Sequence, residues 1–372
     1  MKTVAINGLG RIGRAFLKLY LTDEKVRQQI DIVAINDLGD LENMIYLLQY
    51  DSVYKDKIFK KIYFKIVNPT DKDIAKEYSE KNLEKYICLE LYSGEKREIR
   101  FLSVAESVEF IKNKIWKNLN IDIVVECTGI FVSAEKSHFH LESGAKRVVI
   151  SAPLHENKNS MYHSETVLLG INEEKFKEST ITSNASCTTN AASPILQILD
   201  EALGIEKAIL NTVHSYTASQ NLVDGVKKDW REGRAGAQNI IPSTTGAALA
   251  VTKAITSLEN KFDGISIRVP TLVGSIVDLT FITKRNTSVE EINRILENAS
   301  QEQKWQNIFT ITREPLVSTD IQGLLYASIA DLNLTKVVDG NLVKVLAWYD
   351  NETGYAHTLL QHVIKVGNCL PD

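Results

Sequence analysis

Cys187 has the surroundings of a nucleophile. It lies within residues 183–190 (SNASCTTN), a run of small hydroxyl and amide residues just ahead of a helix-compatible stretch over 191–203. A helix N-terminus and a nearby imidazole both lower the pKa of a cysteine, and the thiolate is the reactive form. We therefore predict that Cys187 is a catalytic nucleophile with a lowered pKa; the alternative is a small apolar residue packed in a core.

A histidine follows Cys187 in a position that suits a partner for this thiol. Residues 208–213 predict a strand that delivers His214, one helix and one strand after Cys187. A helix and an adjacent strand can bring two such side chains together, and imidazole is the usual group that accepts a thiol proton. A lone histidine is often structural, but this pairing favours a catalytic role for His214.

Two groupings further along the chain suit anions. Thr245 and Gly246 open a predicted helix, where backbone N–H groups attract negative charge. Arg268 lies in an otherwise apolar predicted strand, so its partner is either a phosphate on a substrate or a buried carboxylate. The long segment 224–239, which contains Arg234, is typical of functional or inter-subunit loops.

The elements that position these groups begin with a glycine motif. A predicted strand over 3–7 leads into residues 8–13 (GLGRIG) and then into a helical pattern. Gly8 permits a tight turn, Gly10 leaves room for a pyrophosphate, and Gly13 allows the helix to approach the strand. This context predicts a dinucleotide-binding unit.

Several residues at predicted strand ends extend this unit. Asp37 follows the second strand at the distance where a carboxylate binds the ribose hydroxyls of NAD, and its charge disfavours NADP; the alternative is an ordinary turn residue. Thr128 and Gly129 follow one later strand and Ser151 follows another. Because ligands bind beyond the carboxyl ends of parallel strands, these three are candidate cofactor residues, although each also suits a turn.

The rest of the chain alternates predicted strands and helices. Pattern and turn residues indicate strands over 61–67, 86–93, 97–104, 275–283 and 343–348, and helices over 40–50, 71–85, 289–298 and 356–366. A change of character after Pro153 predicts a domain boundary near residue 152. Pro194 predicts a bend in the helix after Cys187, because proline removes a backbone hydrogen bond.

Composition limits the class of protein. A chain of 372 residues, 44% of them hydrophobic, is long enough for two domains, and a net charge of −4 gives no basic field for nucleic acid. The four cysteines lack the spacing of a zinc site or a disulfide framework, so we expect no metal and a reduced, cytoplasmic setting. No apolar run of membrane length occurs, so we expect no membrane partner.

Together the motifs resemble those of phosphorylating glyceraldehyde-3-phosphate dehydrogenases over nearly the whole chain. The resemblance rests on residues 7–14 (NGLGRIGR), 36–37 (ND), 50–52 (YDS), 126–129 (ECTG), 183–190, 214–217 (HSYT), 268–270 (RVP) and 348–352 (WYDNE). It implies an α/β N-terminal Rossmann-type NAD-binding domain over 1–152. An α+β catalytic and oligomerisation domain with a mostly antiparallel sheet would span 153–352, and a final helix, about 353–368, would pack back onto the first domain.

The resemblance also implies roles for individual residues. Cys187 would be the nucleophile and His214 its base. NAD would be held by Gly8, Gly10, Arg11, Ile12, Gly13, Asp37, Thr128, Gly129, Ser151, Tyr355 and Asn351, the last at the carboxamide. The substrate's phosphate would be held by Thr217, Arg268 and Arg234, and inorganic phosphate by Ser186, Thr188, Thr245 and Gly246.

The implied reaction oxidises glyceraldehyde 3-phosphate with NAD and inorganic phosphate to 1,3-bisphosphoglycerate in glycolysis or gluconeogenesis. It would proceed through a thiohemiacetal and a thioester on Cys187, in a homotetramer whose subunits are joined by segment 224–239. Two alternatives remain open at this point, an erythrose-4-phosphate dehydrogenase and a catalytically silent NAD-binding scaffold. The chain departs from the family pattern at Thr353, where the family normally carries tryptophan, and at Ser107, where an arginine near the adenine is missing.

Overall fold

The first of two sheets is built from the N-terminal part of the chain. A computed structural model describes residues 1–55, 57–67, 84–155 and 160–371. The strands of this sheet are β1 (Lys2–Asn7), β2 (Ile30–Asn36), β3 (Phe59–Val67), β4 (Glu84–Leu91), β5 (Lys96–Leu102), β6 (Ile123–Glu126), β7 (Arg147–Ile150), β8 (Glu165–Thr166) and β9 (Ile181–Ser183). Their spatial order is β3-β4-β5-β2-β1-β6-β7-β9-β8.

Strand β1 lies near the middle of this sheet, between β2 and β6, and pairs in parallel with both. Parallel pairing continues from β5 to β8, while β3 and β4 form an antiparallel edge. Val4, Ala5 and Ile6 are fully buried, as expected for a strand covered on both faces. Because parallel strands end at one edge, the turns after β1, β2 and β6 meet there.

The second sheet has eight strands and is mostly antiparallel. They are β10 (Ile205–Ser215), β11 (Ile241–Thr244), β12 (Phe262–Val269), β13 (Ser275–Thr283), β14 (Phe309–Thr312), β15 (Ser328–Asp331), β16 (Lys336–Val338) and β17 (Leu342–Tyr349). The order is β11-β12-β10-β13-β17-β15-β14, with β16 on β17. Only the β10–β12 and β14–β15 pairs within this described sheet are parallel.

Eleven α-helices connect and cover these sheets in the described part of the chain. They are α1 (Arg11–Thr22), α2 (Glu24–Arg27), α3 (Leu41–Gln49), α4 (Ser107–Lys112), α5 (Ile115–Asn118), α6 (Ala134–Ser137), α7 (Phe139–Glu142), α8 (Cys187–Leu203), α9 (Ala247–Ala254), α10 (Val289–Ala299) and α11 (Thr353–Asn368). Short 3₁₀ helices span Glu173–Lys177, Thr256–Leu258 and Gln303–Trp305. Within the described residues, no helix is both long enough and apolar enough to span a membrane.

The predicted fold class is confirmed, with differences at particular elements. Helix α8 begins at Cys187 itself, because the Ser186 side chain caps it, and it continues without interruption through Pro194; the bend there stays a prediction. Residues 71–83 of the predicted helix 71–85 lie outside the described residues, and its last two residues instead begin β4.

The apolar core is continuous between the two sheets. One cluster of buried side chains includes Val149 of β7, Leu196 of α8, Leu279 of β13 and Leu359 of α11. Strands β8 and β9 lie beyond residue 152 in sequence and still pair with the first sheet. The division of the chain into domains therefore stays a prediction.

The last helix, α11, packs against α1, α8, β6 and β7. His362 of α11 is fully buried, its Nε2 atom lies 2.8 Å from the Thr182 Oγ1 atom, and its ring meets Phe176 edge-on. Burial lowers the pKa of His362 to about 3. The neutral imidazole is therefore part of the packing that fixes α11.

We expect His362→Gln to flatten the pH dependence of stability in acid. Above a pH of about 6.5, His362 is neutral in the folded and in the unfolded chain. Between a pH of about 6.5 and about 3, the imidazole binds a proton in the unfolded chain but not in the folded chain. The free energy of unfolding therefore falls as pH falls through this window, and His362 contributes up to about 1.4 kcal/mol per pH unit. Denaturant titrations at pH 7, 6 and 5 measure the slope.

His155→Gln is the control for this experiment, because His155 is exposed. It should keep the slope of the unsubstituted chain. Equal slopes for the chain and His362→Gln would contradict the assignment.

Candidate active site

Cys187 is the first residue of α8, at the end of a tight turn from β9. The Ser186 side chain accepts a hydrogen bond from the Thr189 N–H at 3.1 Å, which caps the helix. Ala185 has a φ of 53°, in the left-handed region. The Tyr355 hydroxyl donates to the Ala185 carbonyl at 2.9 Å. A capped helix start and a fixed turn thus set the direction of the thiol.

The structure brings His214 to this thiol. The Cys187 Sγ atom lies 3.4 Å from His214 Nε2, within hydrogen-bond range for sulfur. Strand β10 carries His214 beside α8, and the imidazole is only 4% exposed. Sulfur and nitrogen are therefore placed for proton transfer.

The other ring nitrogen of His214 has two competing partners. Its Nδ1 lies 2.7 Å from the Ser215 carbonyl oxygen and 2.7 Å from Arg268 Nη1. A neutral imidazole cannot donate to a carbonyl and accept from a guanidinium through the same nitrogen. If Nδ1 donates to Ser215, the guanidinium still reaches the same carbonyl at 3.3 Å and the Nε2 lone pair faces the sulfur. We adopt this tautomer because it leaves Nε2 free to accept a proton.

The expected lowering of the thiol pKa is wrong. Burial raises the pKa of Cys187, and this effect outweighs the Arg268 charge and the Thr188 hydrogen bonds that lower it. Burial and the same guanidinium lower the pKa of His214 to about 3. At neutral pH the pair is therefore a protonated thiol beside a neutral imidazole, whose Nε2 lone pair can accept a proton.

Tyr349 is a site residue to which the sequence reasoning gave no role. Its buried hydroxyl lies 2.9 Å from Thr188 Oγ1 and 2.8 Å from Thr212 Oγ1, and its ring meets His214 edge-on at 5.9 Å. It thereby links α8, β10 and β17 beneath the thiol–imidazole pair. The sequence did contain a signal for this role: Tyr349 directly follows an apolar predicted strand, and a buried tyrosine hydroxyl needs a polar partner.

Asn351 lies beside the same pair. Its Oδ1 atom accepts hydrogen bonds from the Ser215 hydroxyl at 3.0 Å, the Gly274 N–H at 3.1 Å and the Ser275 hydroxyl at 3.1 Å. Three donors fix the side-chain oxygen, so the amide nitrogen is the part of Asn351 left to donate to a ligand.

The glycine turn has the shape that a dinucleotide requires. A methyl group at Gly13 would lie 2.2 Å from the Gly8 carbonyl oxygen, and one at Gly8, whose φ is +99°, would lie 2.8 Å from Thr128 N. At Gly10 the corresponding space is open. Helix α1 begins here without a side-chain cap in the described structure, so its N–H groups can hold a pyrophosphate. These residues fit NAD.

The other predicted cofactor residues surround this turn. Asp37 accepts from the Leu9 N–H at 2.6 Å and the Gly39 N–H at 2.8 Å, which brings its carboxylate beside the glycine turn. The Thr128 N–H donates to the buried Glu126 carboxylate at 2.7 Å, and Gly129 and Ser151 follow β6 and β7 at the same sheet edge. Ile12 packs on the core.

Some predicted ligand residues are not joined to the thiol–imidazole pair by hydrogen bonds in the described structure. Arg234 is 61% exposed and pairs with Asp224 at 2.7 Å. Thr217 contacts Ser219, and Thr245 accepts from the Ala247 N–H, beside Gly246 at the start of α9. Their roles stay predictions, as does the NAD contact of Tyr355, whose hydroxyl is bound to Ala185.

A dinucleotide fold beside a thiol–imidazole pair defines a class, the nicotinamide-dependent dehydrogenases that oxidise aldehydes through a cysteine. Two family models match the chain, the glyceraldehyde 3-phosphate dehydrogenase NAD binding domain at residues 2–70 and the C-terminal domain of the same enzyme at 186–351. Glyceraldehyde-3-phosphate dehydrogenases of Thermotoga maritima and Buchnera aphidicola are 41% and 40% identical over 361 residues, 97% of each chain. That of Mycobacterium avium is 39% identical over 369 residues, 99% of each chain.

The chain belongs to the glyceraldehyde-3-phosphate dehydrogenase family. The expected enzyme class, an NAD-dependent dehydrogenase, and the expected cofactor are confirmed. Among the described residues, no group of three or more His, Cys, Asp or Glu side chains could hold a metal ion.

We expect Gly10→Ala to weaken NAD binding while leaving the fold intact. The added methyl would occupy the open space where the pyrophosphate must approach, and Gly10 has a φ of −68°, which alanine adopts freely. The dissociation constant for NAD should rise by roughly tenfold or more, equivalent to about 1.4 kcal/mol. Calorimetric titration measures it, and thermal unfolding checks the fold.

Gly246→Ala is the matched control, since Gly246 also precedes a helix and also has open space around it. Its NAD affinity should equal that of the unsubstituted chain. An unchanged affinity for Gly10→Ala would rule out the proposed path of the pyrophosphate.

Proposed function

We propose that this chain oxidises glyceraldehyde 3-phosphate with NAD and inorganic phosphate to 1,3-bisphosphoglycerate, in glycolysis or gluconeogenesis. The observation that carries the proposal is the 3.4 Å approach of Cys187 Sγ to His214 Nε2, with the Arg268 guanidinium on the other side of the imidazole. A base for the thiol and a cation for the substrate's phosphate are thus adjacent. Family membership supports the same reaction.

The first step forms a carbon–sulfur bond. The His214 Nε2 lone pair accepts the thiol proton as the Cys187 sulfur attacks the aldehyde carbon. The imidazolium then returns this proton to the former carbonyl oxygen, which gives a thiohemiacetal and a neutral His214. The backbone N–H groups at the start of α8 lie next to this oxygen in the proposed complex. Donation from Nδ1 to the Ser215 carbonyl holds the ring in the tautomer that this step requires.

The second step removes a hydride and a proton from the thiohemiacetal. When bound, NAD supplies the hydride acceptor. His214 takes the hydroxyl proton as the carbon–oxygen double bond forms, which leaves a thioester on Cys187. Inorganic phosphate then attacks the thioester carbon, the carbon–sulfur bond breaks, and the thiolate departs with 1,3-bisphosphoglycerate released.

Two anion pockets are needed on either side of the thiol. We assign the substrate's phosphate to Arg268, Thr217 and Arg234, and the attacking phosphate to the four residues Ser186, Thr188, Thr245 and Gly246. Support comes from the Arg268 position beside His214 and from the helix starts at α8 and α9, where N–H groups favour negative charge.

NAD would be held by the glycine turn, Asp37, Thr128, Gly129 and Ser151. Arg11, Ile12, Tyr355 and, at the carboxamide, Asn351 complete the proposed set. We further propose a cytoplasmic homotetramer joined by segment 224–239, with an NAD-binding domain over 1–152, a catalytic domain over 153–352 and α11 returning to the first domain. The exposed Leu222, Val226 and Trp230 in and near that segment support a role in assembly.

We expect Cys187→Ser to lower the rate of NADH formation by at least about a thousandfold and to leave the affinity for NAD unchanged. A serine hydroxyl is far less acidic than a thiol, and a neutral imidazole with a lowered pKa cannot deprotonate it efficiently. Initial rates at 340 nm and calorimetric NAD titration measure the two effects. Cys369→Ser, at a half-buried position near the C-terminus, is the control and should remain active. Turnover retained in Cys187→Ser would remove the nucleophile from the proposal.

A panel of aldehydes separates the proposed reaction from its two alternatives. We expect NADH formation to depend on inorganic phosphate and to be at least roughly tenfold faster, in kcat/KM, with glyceraldehyde 3-phosphate than with erythrose 4-phosphate. A preference for the longer aldehyde would identify an erythrose-4-phosphate dehydrogenase. Absence of turnover with every aldehyde, with NAD binding intact, would identify a silent scaffold.

A further inference from the structure

Asp350, the residue before Asn351, is a buried carboxylate with an unusual partner. It is 1% exposed, and its oxygens accept hydrogen bonds from the Tyr54 hydroxyl at 2.8 and 3.0 Å. Backbone N–H groups of Gly323, Glu352 and Thr353 complete its donors. Burial and the neighbouring Asp350 raise the pKa of Tyr54, so the phenol stays protonated and donates. Tyr54 thus connects the start of the chain to Asp350.

Glu352, the residue after Asn351, is fixed from the glycine turn. Arg11 Nε and Nη2 donate to its two carboxylate oxygens, each at 2.5 Å, in a bidentate pair. The same guanidinium lies 3.3 Å from the Asp51 carboxylate. The Glu352 and Asp51 side chains are 12% and 8% exposed, whereas the Arg11 side chain is 38% exposed, so the two carboxylates are buried beneath a partly exposed guanidinium.

These contacts close into a ring. Asp51 accepts hydrogen bonds from the Val53 N–H at 2.8 Å and the Tyr54 N–H at 3.1 Å, which fixes the turn that presents Tyr54 to Asp350. The ring consists of Arg11, Asp51, Tyr54, Asp350 and Glu352, and we name it the Asn351 frame. Asn351 lies between Asp350 and Glu352 in the sequence, so both of its neighbours are bonded to the N-terminal part of the chain.

The Asn351 side chain is bonded next to the strand end that carries His214. Its oxygen is bonded to Ser215, the neighbour of His214, and to Gly274 and Ser275. The frame therefore joins three parts of the site in one network: the glycine turn through Arg11, the nicotinamide end through Asn351, and the proton acceptor through Ser215. In the described part of the chain, the other hydrogen bonds that fix the Asn351 side chain come from Ser215, Gly274 and Ser275.

We propose that Tyr54 is a positioning residue that, through Asp350, holds Asn351 where it recognises the nicotinamide carboxamide of NAD. This inference rests on the proposed function, which assigns the carboxamide to Asn351.

ADP-ribose provides the discriminating ligand, because it contains the adenine, both riboses and the pyrophosphate but no nicotinamide. Tyr54→Phe removes one hydroxyl and keeps the ring. By calorimetric titration of the full chain, we expect it to weaken NAD binding about tenfold and ADP-ribose binding by less than about twofold. Tyr46→Phe, at a 58% exposed position outside the frame, is the matched control and should change neither.

A double-mutant cycle tests the coupling directly. Asn351→Ala removes the amide that the frame positions, so in that background Tyr54→Phe should add less than about twofold to the loss of NAD affinity. Thermal unfolding checks both variants. If Asn351→Ala does not fold, the NAD and ADP-ribose comparison for Tyr54→Phe decides alone.

Three results would overturn the inference. Equal weakening of NAD and ADP-ribose would mean that Tyr54 supports the fold and not the nicotinamide end. No weakening of either ligand, or full additivity in the cycle, would mean that Asn351 does not depend on Tyr54. NADH formation by the unsubstituted chain tests the proposed function separately, so failure of the frame and failure of the reaction are distinguishable.

Discussion

The catalytic part of the structure depends on the approach of a thiol to a neutral imidazole in surroundings that favour neither charged form. Cys187 Sγ lies 3.4 Å from His214 Nε2, while burial raises the pKa of the thiol and lowers that of the imidazole. Proton transfer from sulfur to nitrogen is therefore unfavourable, although the two atoms are within hydrogen-bond range. The thiol is the less reactive form of cysteine.

Arg268 indicates how a substrate changes this balance. Its Nη1 atom lies 2.7 Å from His214 Nδ1, and after burial its charge is the next cause of the lowered imidazole pKa. In the proposed reaction a phosphate pairs with Arg268 and cancels that repulsion, so the imidazolium becomes easier to form. The same guanidinium also lowers the pKa of the Cys187 thiol, so a phosphate on Arg268 would favour the imidazolium and disfavour the thiolate.

The features that could be predicted from the sequence are those determined by residues close together in the chain. The glycine turn, the strand that delivers His214 and the helix after Cys187 follow from local patterns, and all are present. The thiol pKa was predicted in the wrong direction, because a helix start can be read locally whereas burial depends on elements that pack from elsewhere in the chain. Tyr349 received no role for a similar reason, since its partners Thr188 and Thr212 lie on two other elements.

The Asn351 frame is the clearest case of contacts that local sequence patterns do not predict, because its members are far apart in the sequence. Arg11 and Glu352 are 341 positions apart, and no spacing rule links an arginine after a glycine turn to a glutamate before the last helix. What does link them is the requirement that buried carboxylates find donors. Asp350 and Glu352 flank Asn351, and each takes a side-chain donor from the N-terminal part of the chain, Tyr54 and Arg11 respectively. The ring thereby ties Arg11, which follows Gly10 of the glycine turn, to the two residues on either side of Asn351, so the spacing between these two parts of the chain is fixed by hydrogen bonds.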